Sequence, residues 1–311
     1  MNRKYLTCFV VLGIWALPQA LPAQELVKEA LAGFPPESIR IEYSSPTKLR
    51  RISNYQSLRQ RYQGPRLQKL ETALSQLGIR EGDVDELILG WEAGSKEMDL
   101  YGLASGHFDP QSIAQSAQSR GMPPTPIGNQ QAFCLQGGLE GTCIVAVSNS
   151  LGAFGSLTAL TSLLEARAGQ RPGLGSNQKL AALVDQANKD APIWGVAVGP
   201  AVGDWFKNSM PSQGDIKLDW AKVFQDVESL SYAVDAADKV TVAVNMNCVS
   251  TDAASSLRQI LEGLKLAQQL AWQNQNPNRP NPFEGTQLDL KGSQILLKLT
   301  TDYSDLAVAG G

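Results

Sequence analysis

Val240-Thr241-Val242-Ala243-Val244-Asn245-Met246-Asn247-Cys248 alternates without a break. Val240, Val242, Val244, Met246 and Cys248 share one side of an extended chain, and Thr241, Ala243, Asn245 and Asn247 share the other. Period two with one apolar side predicts a strand in a sheet covered by helices on that side only. Just upstream, Val227-Glu228-Ser229-Leu230-Ser231-Tyr232-Ala233-Val234 predicts a second strand, joined to the first by a turn around Asp235 to Asp238. Just downstream, Ser250-Thr251-Asp252 opens a helix over 251–272. Ser250 or Thr251 supplies a cap, and Asp252 suits the positive end of the helix. Leu257, Ile260, Leu261, Leu264 and Ala267 give that helix one apolar stripe.

The same order of features occurs earlier. Val84 to Trp91 reads as a strand, 98–106 as its hairpin partner, and Asp109-Pro110 as the start of a helix through Ala117. Val84 and Val227 lie 143 residues apart. Further upstream, Ile39 to Tyr43 leads to Pro46 as Ile193 to Val198 leads to Pro200. Downstream, a hairpin at 131–147 answers one at 286–300 that turns at Gly292-Ser293. Further helices are expected near 65–77, 155–168 and 177–189. The expected fold is α+β, with two similar β-α-β-β-α-β-β-α halves arising by internal duplication. Its sheets are mainly antiparallel, with helices packed on one face. Residues 24–170 form the first half and 171–311 the second, with the Gly- and Pro-rich stretch Gly169 to Asn177 at the junction.

The chain has 311 residues, 43% of them hydrophobic, with a formal charge of −3. This is globular composition, and a nucleic-acid partner is not expected, because phosphate recognition requires basic excess. Arg3 and Lys4, the 13-residue apolar run Tyr5 to Leu17, and Ala20-Leu21-Pro22-Ala23 have the layout of a secretory signal peptide over 1–23, cleaved after Ala23. The run is too short to span a bilayer, which needs roughly 20 residues. Cys8 precedes most of that run, whereas a lipid-modified cysteine follows it. The predicted location is periplasmic or secreted, with no membrane span after cleavage.

An oxidising compartment permits disulfides. Cys134 and Cys143 flank the turn-forming stretch Gln136 to Thr142. They are therefore expected near one another on adjacent strands, as a candidate disulfide. Cys248 is expected in the core.

The chemistry of the chain is sparse. His107 is the only histidine and no Cys-x-x-Cys occurs, so neither a metal nor a cofactor is expected. Ser105 beside His107 does not make a nucleophile elbow. Ser45-Pro46-Thr47-Lys48 and Ser176-Asn177-Gln178-Lys179 match Ser-x-x-Lys but lack the accompanying Lys-Thr-Gly, and Ser176 reads as a helix cap. Gly152-Ala153-Phe154-Gly155-Ser156 reads as a tight strand-to-helix turn rather than a phosphate cradle. No catalytic residue is assigned. The aromatic residues Trp205, Phe206, Trp220, Trp272 and Phe283 lie on or beside helices and loops, the last two flanking the Asn- and Pro-rich stretch Gln273 to Phe283. They form the candidate binding surface for an envelope protein, a glycan or a lipid. The leading expectation is an exported, soluble, non-catalytic binding or scaffolding protein of a bacterial cell envelope. One alternative is a periplasmic carrier of a lipid or other small apolar ligand, held between the sheet and its helices. Another is a hydrolase that works with carboxylates alone.

Overall fold

A computed structural model describes residues 23–303, apart from 53, 57–58, 60–64, 94–99, 136–140, 210–218, 277 and 282. Residues 1–22 of the predicted signal peptide over 1–23, the tip of the 131–147 hairpin and the segment holding Met210-Pro211 and Asp215 lie outside the described residues. So do Pro277 and Pro282 of the Asn/Pro stretch.

Helix α1 (Ala23–Gly33) leads into β1 (Ser38–Ser44) and the short α2 (Pro46–Leu49). Helix α3 (Pro65–Gln76) precedes the hairpin of β2 (Val84–Glu92) and β3 (Leu100–Gly106), and α4 (Pro110–Ser119) follows it. Next come β4 (Thr125–Ile127), β5 (Gln130–Cys134), β6 (Cys143–Ala146) and β7 (Leu151–Gly155). Helices α5 (Leu157–Arg167) and α6 (Gln178–Gln186) lead to β8 (Ile193–Val198), then α7 (Ala201–Ser209) and α8 (Trp220–Val223). The hairpin of β9 (Val227–Ala236) and β10 (Val240–Cys248) is followed by the long α9 (Thr251–Gln275). A last hairpin joins β11 (Gln287–Lys291) to β12 (Gln294–Thr301).

Side-chain caps set several helix starts. Asp109 accepts from the N–H groups of Gln111 and Ser112 at 3.0 and 3.2 Å, with Pro110 at the first helical position. Ser156 caps α5 through Ala159 N at 3.1 Å, and Ser250 caps α9 through Ala253 N at 3.1 Å. Asn177, not Ser176, caps α6, through Leu180 N at 3.1 Å. Ser176 turns back to donate to Gly173 O. Gly78, just past α3, has φ of 82°, a left-handed conformation suited to a helix end.

All the strands join one antiparallel sheet in the order β11-β12-β10-β9-β8-β1-β2-β3-β7-β6-β5-β4. Strands β1 and β8 lie side by side within it. Strands β2 and β3 continue outward from β1, and β9 and β10 continue outward from β8. Beyond that the two sides differ, with β7-β6-β5-β4 on one and β12-β11 on the other. The first half therefore carries two strands more than the expected pattern. One of them, β7, covers Leu151–Gly155, where the sequence predicted only a turn. It pairs with both β3 and β6, so its glycines sit in a central ladder.

Opposed residues in an antiparallel ladder share a face, so the register sorts the side chains. On the first face, Tyr43 and Trp194 are partners, as are Ile41 and Val196, and Ile88 and Leu103. These residues are buried under Leu26 and Ala30 of α1, Phe34 just after it, Leu160 and Leu163 of α5, and Leu180 and Val184 of α6. On the second face, Leu87 is opposite Ala104, and Leu230 is opposite Met246. Two groups of helices cover this face. Helices α3 and α4 bury Ala104, Ile144 and Phe133 under Ala73, Leu77, Ile113 and Ala117. Helices α7, α8 and α9 bury Leu230, Val244 and Met246 under Val202, Phe206, Leu257 and Leu261.

The expectation of helices on one face therefore holds for β9 to β12 and fails for β1 to β7, which are covered on both sides. The burial explains the difference. The strands β3, β6 and β7 carry apolar residues at nearly every position, whereas β10 keeps Thr241, Ala243, Asn245 and Asn247 on its uncovered side. There the polar groups pair laterally: Asn247 Nδ2 donates to Ser229 Oγ at 3.0 Å, and Gln294 Nε2 donates to Asn247 Oδ1 at 2.8 Å.

Cys134 and Cys143 are direct partners across β5 and β6 and form a disulfide. Cys248 is a free, buried thiol, raised above its usual range by burial and by Asp226.

Candidate functional site

The covering on the second face is uneven. Under α7 and α8 it is filled by rings: Phe206 stacks on Phe224 at 3.9 Å, and Trp205 lies 4.9 Å from Phe206 and 4.8 Å from Tyr232. Under α3 and α4 the rings of Phe108, Phe133 and Phe154 leave part of the space unfilled. The floor there is Leu87, Ala104, Ile144, Ala146, Gly152 and Phe154 from β2, β3, β6 and β7. Three of these are alanine or glycine. The walls are Pro46 and Leu49 of α2, Leu70 and Leu74 of α3, Ile79, and Phe108 and Ile113 at the α4 end. Small floor residues under a standing-off helix leave a cavity of about 300 Å³, lined chiefly by carbon. In consequence Leu70, Leu74, Ile79, Val84 and Leu87 are only partly buried, although they pack against the core. A concave, mostly apolar pocket of this size with a few polar groups is the usual form of a small-molecule site.

Tyr55, Arg59, Glu71, Arg80 and Glu81 supply most of the polar part of the lining, and further polar groups bond to them from outside it. Arg50 Nη1 donates to Glu81 Oε1 at 3.2 Å and to Glu81 O at 3.0 Å. Its Nη2 donates to Val84 O and Thr47 Oγ1, each at 3.1 Å. The Tyr55 hydroxyl donates to Glu81 Oε1 at 3.0 Å. Burial first, and the neighbouring Glu81 second, push the Tyr55 hydroxyl up to about 12, so it remains a neutral donor. Arg59 is paired with Glu71 of α3, which raises the guanidinium further. Thr47 Oγ1 donates to Asp85 Oδ1 at 2.9 Å, and His107 Nδ1 stands 3.7 Å from Asp85 Oδ2. The two carboxylates that line the cavity, Glu71 and Glu81, are thus each engaged by an arginine.

On the opposite face of the sheet lies a second titratable group. Glu86 is 8% exposed and accepts from the Tyr43 hydroxyl at 2.8 Å and from Ser105 Oγ at 3.4 Å. Burial raises its carboxyl above the usual value, against the two hydrogen bonds. Asp85 and Glu86, adjacent in the chain, have separate hydrogen-bond partners.

The five aromatic residues singled out in the sequence are divided. Trp205 and Phe206 are buried at 9% and 3% exposure, and Trp220 is half-buried beside them at 6.5 Å from Phe206. Trp272 and Phe283 are half-buried at the other end of α9, where Trp272 Nε1 donates to Pro280 O at 3.0 Å. No ring contact joins them to the Trp205 group among the described residues. None of the five lines the cavity. Ala23, the predicted cleavage residue, is the first residue of α1. The residues that do form the site, above all Tyr55, Arg59, Glu71 and Glu81, carried no recognisable motif. Their one signal was the apolar stripe of 65–77, set beside strands rich in alanine and glycine.

Among the described residues, no group of three or more His, Cys, Asp or Glu could hold a metal ion. Among the same residues, no helix is long and apolar enough to cross a membrane.

No family model matches the chain, and no curated protein matches it. It is similar in fold to a solved structure, crystal form III of TP0453, with a TM-score of 0.50 and 10% identity over 90% of this chain and 95% of that one. Crystal form I of TP0453 aligns with a TM-score of 0.49 at 9% identity, over 90% of this chain and 94% of that one. The shared feature is a mixed helix and strand architecture built on a large antiparallel sheet.

Proposed function

We propose that the chain is an exported, non-catalytic binding protein of the bacterial cell envelope, and that it carries a small apolar ligand in the cavity beneath α3 and α4. One observation supports this above the others: about 300 Å³ of carbon-lined space between sheet and helices, bordered by polar side chains. The space arises from Ala104, Ala146 and Gly152, where larger side chains would have completed a core. Export is supported by the apolar run and the small residues that end at Ala23. Descent of the two halves from one copied unit is part of the same proposal, supported by the like strand order outward from β1 and β8.

The test is a titration of the full mature chain with N-phenyl-1-naphthylamine, an apolar probe that fluoresces out of water. Saturable binding of one probe per chain is expected, and loss of it in an Ala104→Leu/Ala146→Leu variant that stays folded by circular dichroism. Probe binding undiminished in that variant overturns the placement.

A further inference from the structure

We infer that the cavity takes a single-chain fatty carboxylate, with its chain among the apolar lining and its head on Arg80; this rests on the carrier function proposed above. The charges that line the cavity balance in number, Arg59 and Arg80 against Glu71 and Glu81, but not in pairing. Glu71 is engaged by Arg59, and Glu81 by Arg50 and Tyr55. The Arg80 guanidinium has no ion pair or hydrogen bond among the described residues. Asp83 Oδ2 accepts the backbone N–H of Arg80 at 2.7 Å, which leaves the side chain uncommitted. Arg80 both lines the cavity and is exposed, so it stands where the cavity meets solvent.

The sequence around the site carries the same sign. From Tyr43 to Leu70 there are seven basic residues and no acidic one, in a chain whose overall formal charge is −3. This stretch holds α2 and the start of α3, and it supplies Pro46, Leu49, Tyr55, Arg59 and Leu70 to the lining. With Glu71 and Glu81 already paired, the stretch favours an anion at the cavity. One uncommitted guanidinium fork matches one carboxylate, which it can hold through two parallel hydrogen bonds. At the rim the head keeps part of its water, so the full cost of burying a charge does not arise. The hydrocarbon behind it gains from leaving water. A hydroxyl head forgoes the ion pair, and an ammonium head is repelled.

The test is competition against N-phenyl-1-naphthylamine bound to the full mature chain at about pH 8, where dodecanoate is ionised, with 1-dodecanol as the uncharged competitor. Arg80→Gln removes the charge and keeps the backbone N–H that Asp83 accepts. The dodecanoate concentration needed for half displacement is expected to rise about three- to fivefold in this variant, the upper range for an exposed ion pair, and that of dodecanol to stay as it was. Arg80→Glu should raise it further for dodecanoate and lower it for dodecylammonium. An unchanged dodecanoate value in Arg80→Gln, or an equal rise for dodecanol, overturns the inference and leaves the carrier function standing. Displacement of the probe from the unaltered chain by neither dodecanoate nor dodecanol overturns both.

Discussion

The Tyr232 hydroxyl donates to Glu42 Oε1 at 2.7 Å across 190 residues of sequence. The two residues stand on β9 and β1, with β8 between them, and the register places Gly195 of β8 opposite both. A Cβ on Gly195 would run into the Tyr232 ring, so the glycine is what lets the ring lie across β8. Arg40 completes the group: it bonds Glu42 through Nε at 3.1 Å and lies over the Trp91 ring at 4.3 Å. Gly195→Ala is expected to push the ring aside and lose the bond. Tyr232→Phe should cost roughly 1.5–3 kcal/mol, the range for a bond to a charged group. In the double variant the two losses should overlap rather than add. Urea unfolding of the three variants measures this, and full additivity would contradict it.

The same seam is closed on the other face by Tyr43 and Trp194, stacked at 5.3 Å with 14° between the rings. Trp194 is fully buried. Trp194→Ala is expected to cost about 3–5 kcal/mol. Trp194→Phe should cost much less, because it keeps a ring against Tyr43 and removes a buried indole N–H that has no acceptor among the described residues. Equal losses in the two variants would show that stacking plays no part.

Glu86 gives a pH dependence of defined sign. Its carboxyl is raised in the folded chain, chiefly by burial. A raised group contributes stability that is complete below its unfolded value and is lost as pH climbs through the folded value. Glu86→Gln, which keeps an acceptor for Tyr43, should therefore raise Tm at about pH 7 and make little difference by about pH 4. Thermal melts at both values check it, and a gain that grows in acid would refute the assignment.

The disulfide closes a loop of sequence separation 9 between β5 and β6, near the β4 edge of the sheet. Replacing both Cys134 and Cys143 by serine is expected to lower stability by roughly 2–3 kcal/mol in the chain-entropy description. Urea midpoints of oxidised chain, reduced chain and double variant give the comparison. The reduced chain and the double variant should agree, and no loss in either would show that the bond contributes nothing.

With Trp205 and Phe206 interior, Trp220, Trp272 and Phe283 are left as the proposed contact residues for an envelope partner. Trp272→Ala with Phe283→Ala should leave the Tm within a few degrees and abolish partner capture, whereas Trp205→Ala should unfold the chain more readily by about 3 kcal/mol. Capture that survives the first pair removes that end of α9 from the account.

How far the sequence reaches can be seen element by element. The 227–248 hairpin and the long helix behind it were legible because one side of each is apolar and the other polar. The turn at Gly292-Ser293 and the Cys134–Cys143 pairing were legible from local chemistry. Strand β7 was not, because Gly152 and Gly155 resemble a turn when seen alone, and only pairing with β3 and β6 makes them strand. The second layer over β1 to β7 was hidden for a related reason, since a strand buried on both faces loses its alternation. The cavity was hidden because it is made by what the floor lacks. Trp205 and Phe206 misled for the opposite reason: large aromatic side chains beside loops can serve a surface or a core, and here the rings pack on Phe224 and Tyr232.

Native mass spectrometry of the chain purified from its own compartment, beside Ala104→Leu/Ala146→Leu purified the same way, tests the carrier function most directly. The unaltered chain is expected to retain one small apolar molecule per copy, and the filled variant to emerge bare. A bare mass for both, or the same adduct on both, would contradict it.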